Sequence, residues 1–188
     1  MKKLVLALVL TVALSVNAFA EHPDGWGVGV VGRGGWSGQS GGWGSRGLGG
    51  LAISLKAPMF PIYWGLSFDL GTNFFGMGIT GDYHLIHNNI YDFDGPKIGW
   101  YLGVGGFLGF SHYSPSRSSW TSLRFGGRVP VGLSFQVPAG DISFEVFGAL
   151  VPHLGLGFWF RNSEHWPDTS RAGIIGGIGG ELGIRFWF

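Results

Sequence analysis

A few residues have types and spacing that could bind a metal or catalyse a reaction. His84 and His87 lie three apart with Asp82 nearby, a set that could hold a metal ion. The Ser-Glu-His run at 163–165 has the residue types of a catalytic triad, but adjacent residues of one short segment cannot all converge on a reacting atom. His153 with a distant serine is the remaining enzymatic alternative. We predict no metal, no cofactor and no enzymatic activity, with the histidines at a strand end and in a polar turn.

One glycine motif resembles a nucleotide-binding loop. Residues 27–32, Gly-Val-Gly-Val-Val-Gly, match the G-x-G-x-x-G pattern, which requires a strand before it and a helix after it. The following residues, Arg33-Gly34-Gly35, do not favour a helix. Because the chain contains 37 glycines, we interpret the match as coincidence.

Charged side chains are the remaining candidates for a site. In the strands described below, eight of them share the polar face, where they would line a narrow interior. These residues are Lys56, Asp69, Asp82, Arg124, Arg128, Glu145, Glu181 and Arg185. An unpaired buried charge is very costly, so we expect a salt-bridge network that plugs the interior. The functional alternative is a gate whose pairs rearrange to let ions through.

The elements that would position these charges are amphipathic strands. Apolar residues alternate with glycine or polar residues over eight runs, at about 25–33, 48–57, 62–70, 75–84, 98–111, 121–137, 142–160 and 173–188. Successive side chains of a strand face opposite sides, so each run has one apolar and one polar face. Leu133, for example, is apolar and Ser134 polar. We expect a bulge or bend at Pro152, inside the seventh run.

The links between the runs are of two kinds. Pro58–Pro61 and Pro138–Asp141 are tight, whereas 34–47, 112–120 and 161–172 are longer and polar. Transmembrane barrels have short periplasmic turns and long external loops, and eight strands with both ends periplasmic reproduce this division. The segment 85–97 is long for a periplasmic turn.

Aromatic residues cluster at the predicted periplasmic ends of the strands. Such clustering is typical of an interfacial girdle, whereas the core of a soluble sheet does not explain it. The predicted girdle comprises Trp26, Tyr63, Trp64, Tyr83, Trp100, Tyr101, Phe135 and Trp187.

Composition supports a membrane barrel behind an export signal. Charged residues make up only 12% of the chain and mean hydropathy is +0.26, whereas soluble domains carry about 25% charge. Lys2, Lys3 and the apolar run up to Leu14 precede Ala18-Phe19-Ala20, so we predict a cleaved signal peptide at 1–20 and one barrel domain at 21–188.

The absence of cysteine and the small net charge exclude or disfavour other classes. Without cysteine, disulfides and thiolate metal sites are excluded. Removing the two lysines turns the formal charge from +1 to about −1, which does not favour nucleic-acid binding.

The last residues resemble the C-terminal assembly signal of outer-membrane proteins. Glu181, Gly183, Phe186 and Phe188 match its polar residue, glycine and two aromatics. With the export signal and the eight runs, the chain resembles small barrels of the outer membrane protein A, X and W type over residues 21–188. Phrases such as Ile62-Tyr63-Trp64-Gly65 are also similar to uncharacterised spirochaetal members of that class. The resemblance implies that the barrel assembly machinery reads the last strand.

The sequence therefore predicts an all-β protein, an antiparallel eight-stranded transmembrane β-barrel in the bacterial outer membrane. We expect a monomer in contact with outer-membrane lipid, with a structural or surface-interaction role. Its loops at 34–47, 112–120 and 161–172 could contact a host or matrix ligand. Two alternatives remain: a narrow channel for ions or small solutes, and a secreted lipid-binding barrel with its faces inverted.

Overall fold

The computed structural model describes residues 25–39, 50–114, 118–163 and 169–188. In these ranges the chain forms one antiparallel sheet of nine strands. The strands are β1 (Gly27–Gln39), β2 (Gly50–Lys56), β3 (Ile62–Gly71), β4 (Phe74–Asp92), β5 (Lys97–Tyr113), β6 (Ser118–Arg128), β7 (Val131–Ala139), β8 (Ile142–Ser163) and β9 (Thr169–Trp187). No helix in these ranges has the length and hydropathy needed to cross a membrane.

The sheet closes on itself into a barrel. β1 pairs with β2 on one side and with β9 on the other, and the β1–β9 pairing runs from Gly27 opposite Trp187 to Gln39 opposite Ile175. Each remaining neighbour around the ring is also paired, up to β8 with β9. Closure leaves no open edge between the first and last strands, which is one way a sheet avoids unpaired backbone groups.

The barrel wall has eight positions, because β6 and β7 occupy a single one. Both pair with β5 and β8, and the register with β8 is unbroken: Arg128 lies opposite His153, and Val131 lies opposite Leu150. The interruption at Val129–Pro130 follows from the missing N–H of Pro130. The predicted run 121–137 is therefore one wall strand with a gap in its ladder, and the eight-stranded barrel is confirmed.

The bulges lie elsewhere than predicted. β8 keeps a constant register with β9 through Pro152, which lies opposite Ile178, so the bulge expected there is absent. Pro152 removes a donor from the ladder without adding a residue, and its carbonyl still accepts from Val129 N–H at 2.9 Å. The register instead shifts twice in β4, between His84 and Ile86 and between Asn89 and Tyr91.

The long segment 85–97 is a hairpin extension. β4 continues to Asp92 and β5 begins at Lys97, so the predicted strand 75–84 was too short. The turn is closed by Phe93 N–H donating to Pro96 C=O at 2.9 Å, and Asp94 has a positive φ of 57°. The alternation of the sequence fails here because each bulge reverses which residues face inward.

We define the lower rim of the barrel as the end where β1 begins and β9 ends. The tight links at 57–61 and 140–141 lie at this rim, as predicted, together with the turn at 93–96. The upper rim carries the two-residue turn at 72–73, where Asn73 has a φ of 63°.

The predicted upper loops are shorter than expected. Strand pairing continues through 34–39, 112–113, 118–120, 161–163 and 169–172. These polar and glycine-rich stretches lack apolar alternation but still form backbone ladders. The rest of the predicted loops, at 40–47, 115–117 and 164–168, lies outside the described residues, as does the predicted signal peptide.

Apolar side chains cover the outside of the barrel and polar ones fill the inside. Leu133 is 59% exposed and its neighbour Ser134 is 6% exposed. The exposed apolar wall includes Leu51, Ile53, Phe68, Met77, Ile79, Leu108, Leu123, Phe125, Leu150, Leu154, Ile178, Leu182 and Ile184. The buried charged residues are Lys56, Asp82, Arg128, Glu145 and Arg185. This arrangement is the inverse of that in a soluble barrel and is typical of one that spans a bilayer.

Candidate functional site: the barrel lumen

All eight residues of the predicted charge network face the lumen. The structure joins some of them into two groups at different heights and leaves Asp69 and Arg124 above both. The upper of these groups is a chain of ion pairs across the middle of the barrel, and the other is an arginine enclosed by aromatic rings near the lower rim.

The central ion-pair chain consists of Asp82, Arg128, Glu181 and Arg33. Arg128 contacts Asp82 at 2.9 Å and Glu181 at 2.8 Å, and Glu181 also contacts Arg33 at 2.8 Å. Arg33 donates to Thr80 Oγ1 at 2.8 Å. Asp82 and Thr80 lie on β4 and Glu181 on β9, which are four positions apart in a ring of eight and therefore on opposite walls. The chain thus spans the lumen.

Sequence reasoning did not include Arg33 in this network. The predicted first strand ended at residue 33, and its two faces were not assigned. Gly29, Val31 and Arg33 have the same parity, and Val31 is 3% exposed, so Arg33 lies on the inward face. Extending the alternation test to the first strand would have found it.

The lower group is organised around Arg185. Its Nη1 lies 2.6 Å from Glu145 Oε2, and its Nε and Nη2 donate to Ser54 Oγ at 3.2 and 3.1 Å. Trp187 Nε1 donates to the same Glu145 oxygen at 2.8 Å. Because Glu145 is only 2% exposed, its charge is compensated inside the protein rather than by bulk water.

Aromatic rings surround this ion pair. The Arg185 guanidinium carbon lies 4.4 Å from the Phe147 ring centroid, 4.8 Å from that of Tyr63 and 5.4 Å from that of Trp187. Lys56 Nζ lies 5.7 Å from the centroid of the same Trp187 ring. These distances fit cation–π attraction, which is strongest where the cation is removed from water.

For three residues of the predicted girdle, the predicted outward orientation is therefore wrong. Tyr63, Tyr101 and Trp187 are 4%, 4% and 2% exposed and face the lumen. Adjacent residues of a strand point to opposite faces, so the neighbours of an outward aromatic must face inward. The other five predicted members lie on the outward face. Tyr83 and Trp100 are half-buried, and the exposed ones are Trp26, Trp64 and Phe135.

The histidines considered for metal binding belong to the aromatic layer. His84 stacks between Tyr63, at 3.9 Å between ring centroids, and Tyr101, at 4.4 Å. His87 lies 5.6 Å from His84 with tilted rings. Within the described ranges, no three histidine or carboxylate side chains form a group that could hold a metal ion. His153 contacts the Phe107 ring edge-on at 5.9 Å. Residues 164 and 165 of the Ser-Glu-His run lie outside the described residues.

Above the central ion-pair chain, the lumen widens into a cavity that we call the upper vestibule. It is open to solvent on one side. Its lining includes the side chains of Arg33, Asp69, Phe107, Arg124, Val151 and Glu181. Inward-facing glycines, among them Gly78, Gly109 and Gly179, line much of the remaining wall. At Gly109 and Gly179 the wall leaves space because these positions carry no side chain.

Comparison with known proteins agrees with this geometry at the level of the fold. No protein-family model matches the chain, and no curated protein matches it. Among solved structures it is similar to a major outer membrane protein from Thermus thermophilus. The TM-score is 0.54 at 13% identity, covering 89% of this chain and 100% of that chain. The chain therefore has the fold of an outer-membrane β-barrel.

Proposed function

We propose that this protein is an integral barrel of the bacterial outer membrane with a structural or surface-interaction role, and that its lumen is closed. One observation carries the proposal: a ring of eight wall strands exposes apolar side chains outward while an ion-pair chain crosses its interior. The apolar wall would contact lipid, and the similarity to the Thermus protein supports an outer-membrane location.

Closure of the lumen is supported by how the central charges are paired. Arg128 has two carboxylate partners and Glu181 has two arginine partners. Opening a path for ions would separate buried charges, which costs several kcal/mol when a partner is lost. We therefore favour a static plug over the alternative, a narrow channel whose pairs rearrange.

Planar-bilayer recording distinguishes the plug from the channel. The purified full-length barrel should show no reproducible unitary current steps. Glu181→Ala should introduce leak, because it leaves Arg33 without its carboxylate partner. Unitary steps in the unmodified protein that change in Glu181→Ala would establish the channel instead.

Location and orientation can be tested together on intact cells. A short tag inserted at 164–168, between β8 and β9, should react with an external label, whereas a tag at Gly140, at the opposite rim, should react only after lysis. Protein found free in the periplasm or medium would favour the second alternative, a secreted lipid-binding barrel. Tags placed in the same way at 34–47, 112–120 and 161–172 would show whether these predicted loops are available to a host or matrix ligand.

We also propose that the barrel assembly machinery recognises β9. Phe186 and Phe188 are 43% and 62% exposed on the outward face, and Glu181 and Gly183 lie on the inward face. Membership of the outer membrane protein A, X and W type, and of its spirochaetal branch, is a hypothesis that rests on this segment and on the sequence phrases.

The assembly proposal predicts a position-specific effect. Phe188→Ala should lower the yield of folded protein in the outer membrane several-fold. The matched control is Phe60→Ala, which removes a similarly exposed ring in the 57–61 link. Heat-modifiable mobility on gels reports the folded fraction. Equal yields for the two variants would contradict a signal in β9.

A further inference from the structure

The upper vestibule has a closed floor and an open mouth. Its lining runs from Asp69, near the upper rim, down to Arg33, Arg128 and Glu181. The last three belong to the central ion-pair chain. A molecule that entered from the upper rim would meet this chain as a barrier, so the vestibule is shaped as a binding pocket rather than as part of a continuous path.

The open space is built into the wall. A Cβ added at Gly109 would meet nothing closer than 3.8 Å, and one at Gly179 nothing closer than 3.5 Å. In the lower half, a Cβ at Gly183 would lie 2.6 Å from the Phe147 ring. Gly183 thus makes way for the neighbouring Phe147 side chain, whereas Gly109 and Gly179 leave free space beside the cavity.

One basic group in the vestibule is not neutralised by an ion pair. Arg124 lines the cavity, and it has no carboxylate within 4 Å among the residues that the structure describes. Asp69 is the carboxylate that acts on it electrostatically. Arg33 and Arg128, by contrast, are fixed by the central chain. The Arg124 guanidinium therefore offers its N–H groups to the cavity, in a geometry suited to carboxylate or phosphate.

Further features favour an anion that carries an apolar part. Nearer the upper rim, the Arg161 guanidinium lies 4.9 Å over the Trp120 ring, which adds positive charge along the same wall. Phe107 and Val151 line the cavity, 8% and 4% exposed. A small molecule with an oxyanion at Arg124 could place its apolar part against these two side chains.

We propose that the upper vestibule is a binding site for a small amphiphilic oxyanion, a carboxylate or phosphate ester with a compact apolar group, held by Arg124. The oxyanion accepts hydrogen bonds from the guanidinium, and Arg161 attracts it electrostatically toward the mouth. The ligand stops at the central ion-pair chain.

Calorimetric titration of the purified full-length barrel in nanodiscs tests the site. The probes are phenyl phosphate, benzoate, inorganic phosphate and benzyl alcohol. Saturable binding of phenyl phosphate, benzoate or both is expected, and which of the two binds identifies the headgroup. Inorganic phosphate should bind about ten-fold more weakly because it lacks the apolar part. Benzyl alcohol, which lacks the charge, should not bind measurably.

Three variants connect binding to Arg124. Arg124→Gln should weaken binding of the anionic probe by about ten-fold or more, the value of hydrogen bonds to a charged group. Asp69→Asn should tighten it, because it removes the opposing carboxylate; a purely structural role for these residues would not produce that gain. Lys97→Gln, at the lower rim, should leave affinity unchanged, since Lys97 pairs only with the exposed Asp92 at 3.6 Å among the described residues.

Clear outcomes would overturn the proposal. The first is that neither phenyl phosphate nor benzoate shows saturable binding. The second is that Arg124→Gln binds the anionic probe with the same affinity as the unmodified protein. The third is that benzyl alcohol binds as strongly as benzoate. Retained heat-modifiable mobility in each variant shows that a loss of binding is not a loss of fold.

Discussion

The two halves of the lumen share the same wall strands but are filled in different ways. In the lower half, inward positions carry Arg185, Trp187, Tyr63 and Phe147, which contact one another around Glu145. In the upper half, many inward positions are glycine, and Arg124 faces an open cavity. One closed sheet can therefore hold paired charges and aromatic rings around a smaller cavity at one end and a wider pocket at the other.

The residues that stabilise the barrel and the residues available for binding can therefore lie at different ends of one lumen. In the lower half, Arg185 is paired with Glu145 and surrounded by aromatic rings, so substitutions there remove these contacts. In the upper half, Arg124 and Asp69 form no ion pair within 4 Å among the described residues, so we expect substitutions there to cost less folding free energy. Equivalent substitutions should therefore change the free energy of unfolding by different amounts in the two halves.

The largest effect is expected for a buried carboxylate. Glu145→Ala removes the ion-pair partner of Arg185 and the acceptor of Trp187, and should destabilise the barrel by about 3–5 kcal/mol. The matched substitution Asp69→Ala removes a carboxylate outside any ion pair within 4 Å in the described ranges, and should cost about 1 kcal/mol or less. Equilibrium unfolding by urea in lipid vesicles measures both. Equal losses would mean that the halves do not differ.

Much of the fold could be predicted because alternation with period two survives uncertainty about strand ends. Leu133 and Ser134 were assigned to opposite faces on this basis, and their exposures differ as expected. The prediction of the aromatic girdle was wrong where this rule was not applied. Tyr63 precedes Trp64, so one of the two side chains must face inward. The clustering of aromatic residues along the sequence indicates their height in the barrel, but it does not indicate whether each side chain faces lipid or the lumen.

The pairing of the charges could not be read from the sequence. Arg128 contacts Asp82 from β4 and Glu181 from β9, and these contacts depend on the stagger between distant strands. That stagger is set by strand registers and by the bulges in β4, which leave no periodic signal. The sequence indicated that the charges share a lumen, whereas the division into a central chain and a lower group required coordinates.

On the outer wall, substitutions in the two halves should have similar effects on stability. Leu133→Arg and Ile79→Arg each place a charge on an exposed apolar position and should cost about 2–4 kcal/mol if near the bilayer midplane. The reason is the desolvation of arginine by lipid, which does not depend on how the lumen is filled. Unfolding in vesicles gives the free energies. An unchanged stability for both variants would show that this face does not meet hydrocarbon.

The smallest expected effect gives the most direct test of how the two halves are packed. Gly132→Ala would place a Cβ in the space of the buried Tyr101 ring, so we expect a loss of about 1–3 kcal/mol from overpacking. Gly109→Ala, on an inward position of the upper half, would meet only the Met77 carbonyl at 3.8 Å and should change stability by about 0.5 kcal/mol or less. Both substitutions add one methyl group to an inward glycine, so their difference isolates the available space. A loss at Gly109 as large as that at Gly132 would show that the upper half is packed as tightly as the lower, and that the vestibule has no room for a ligand.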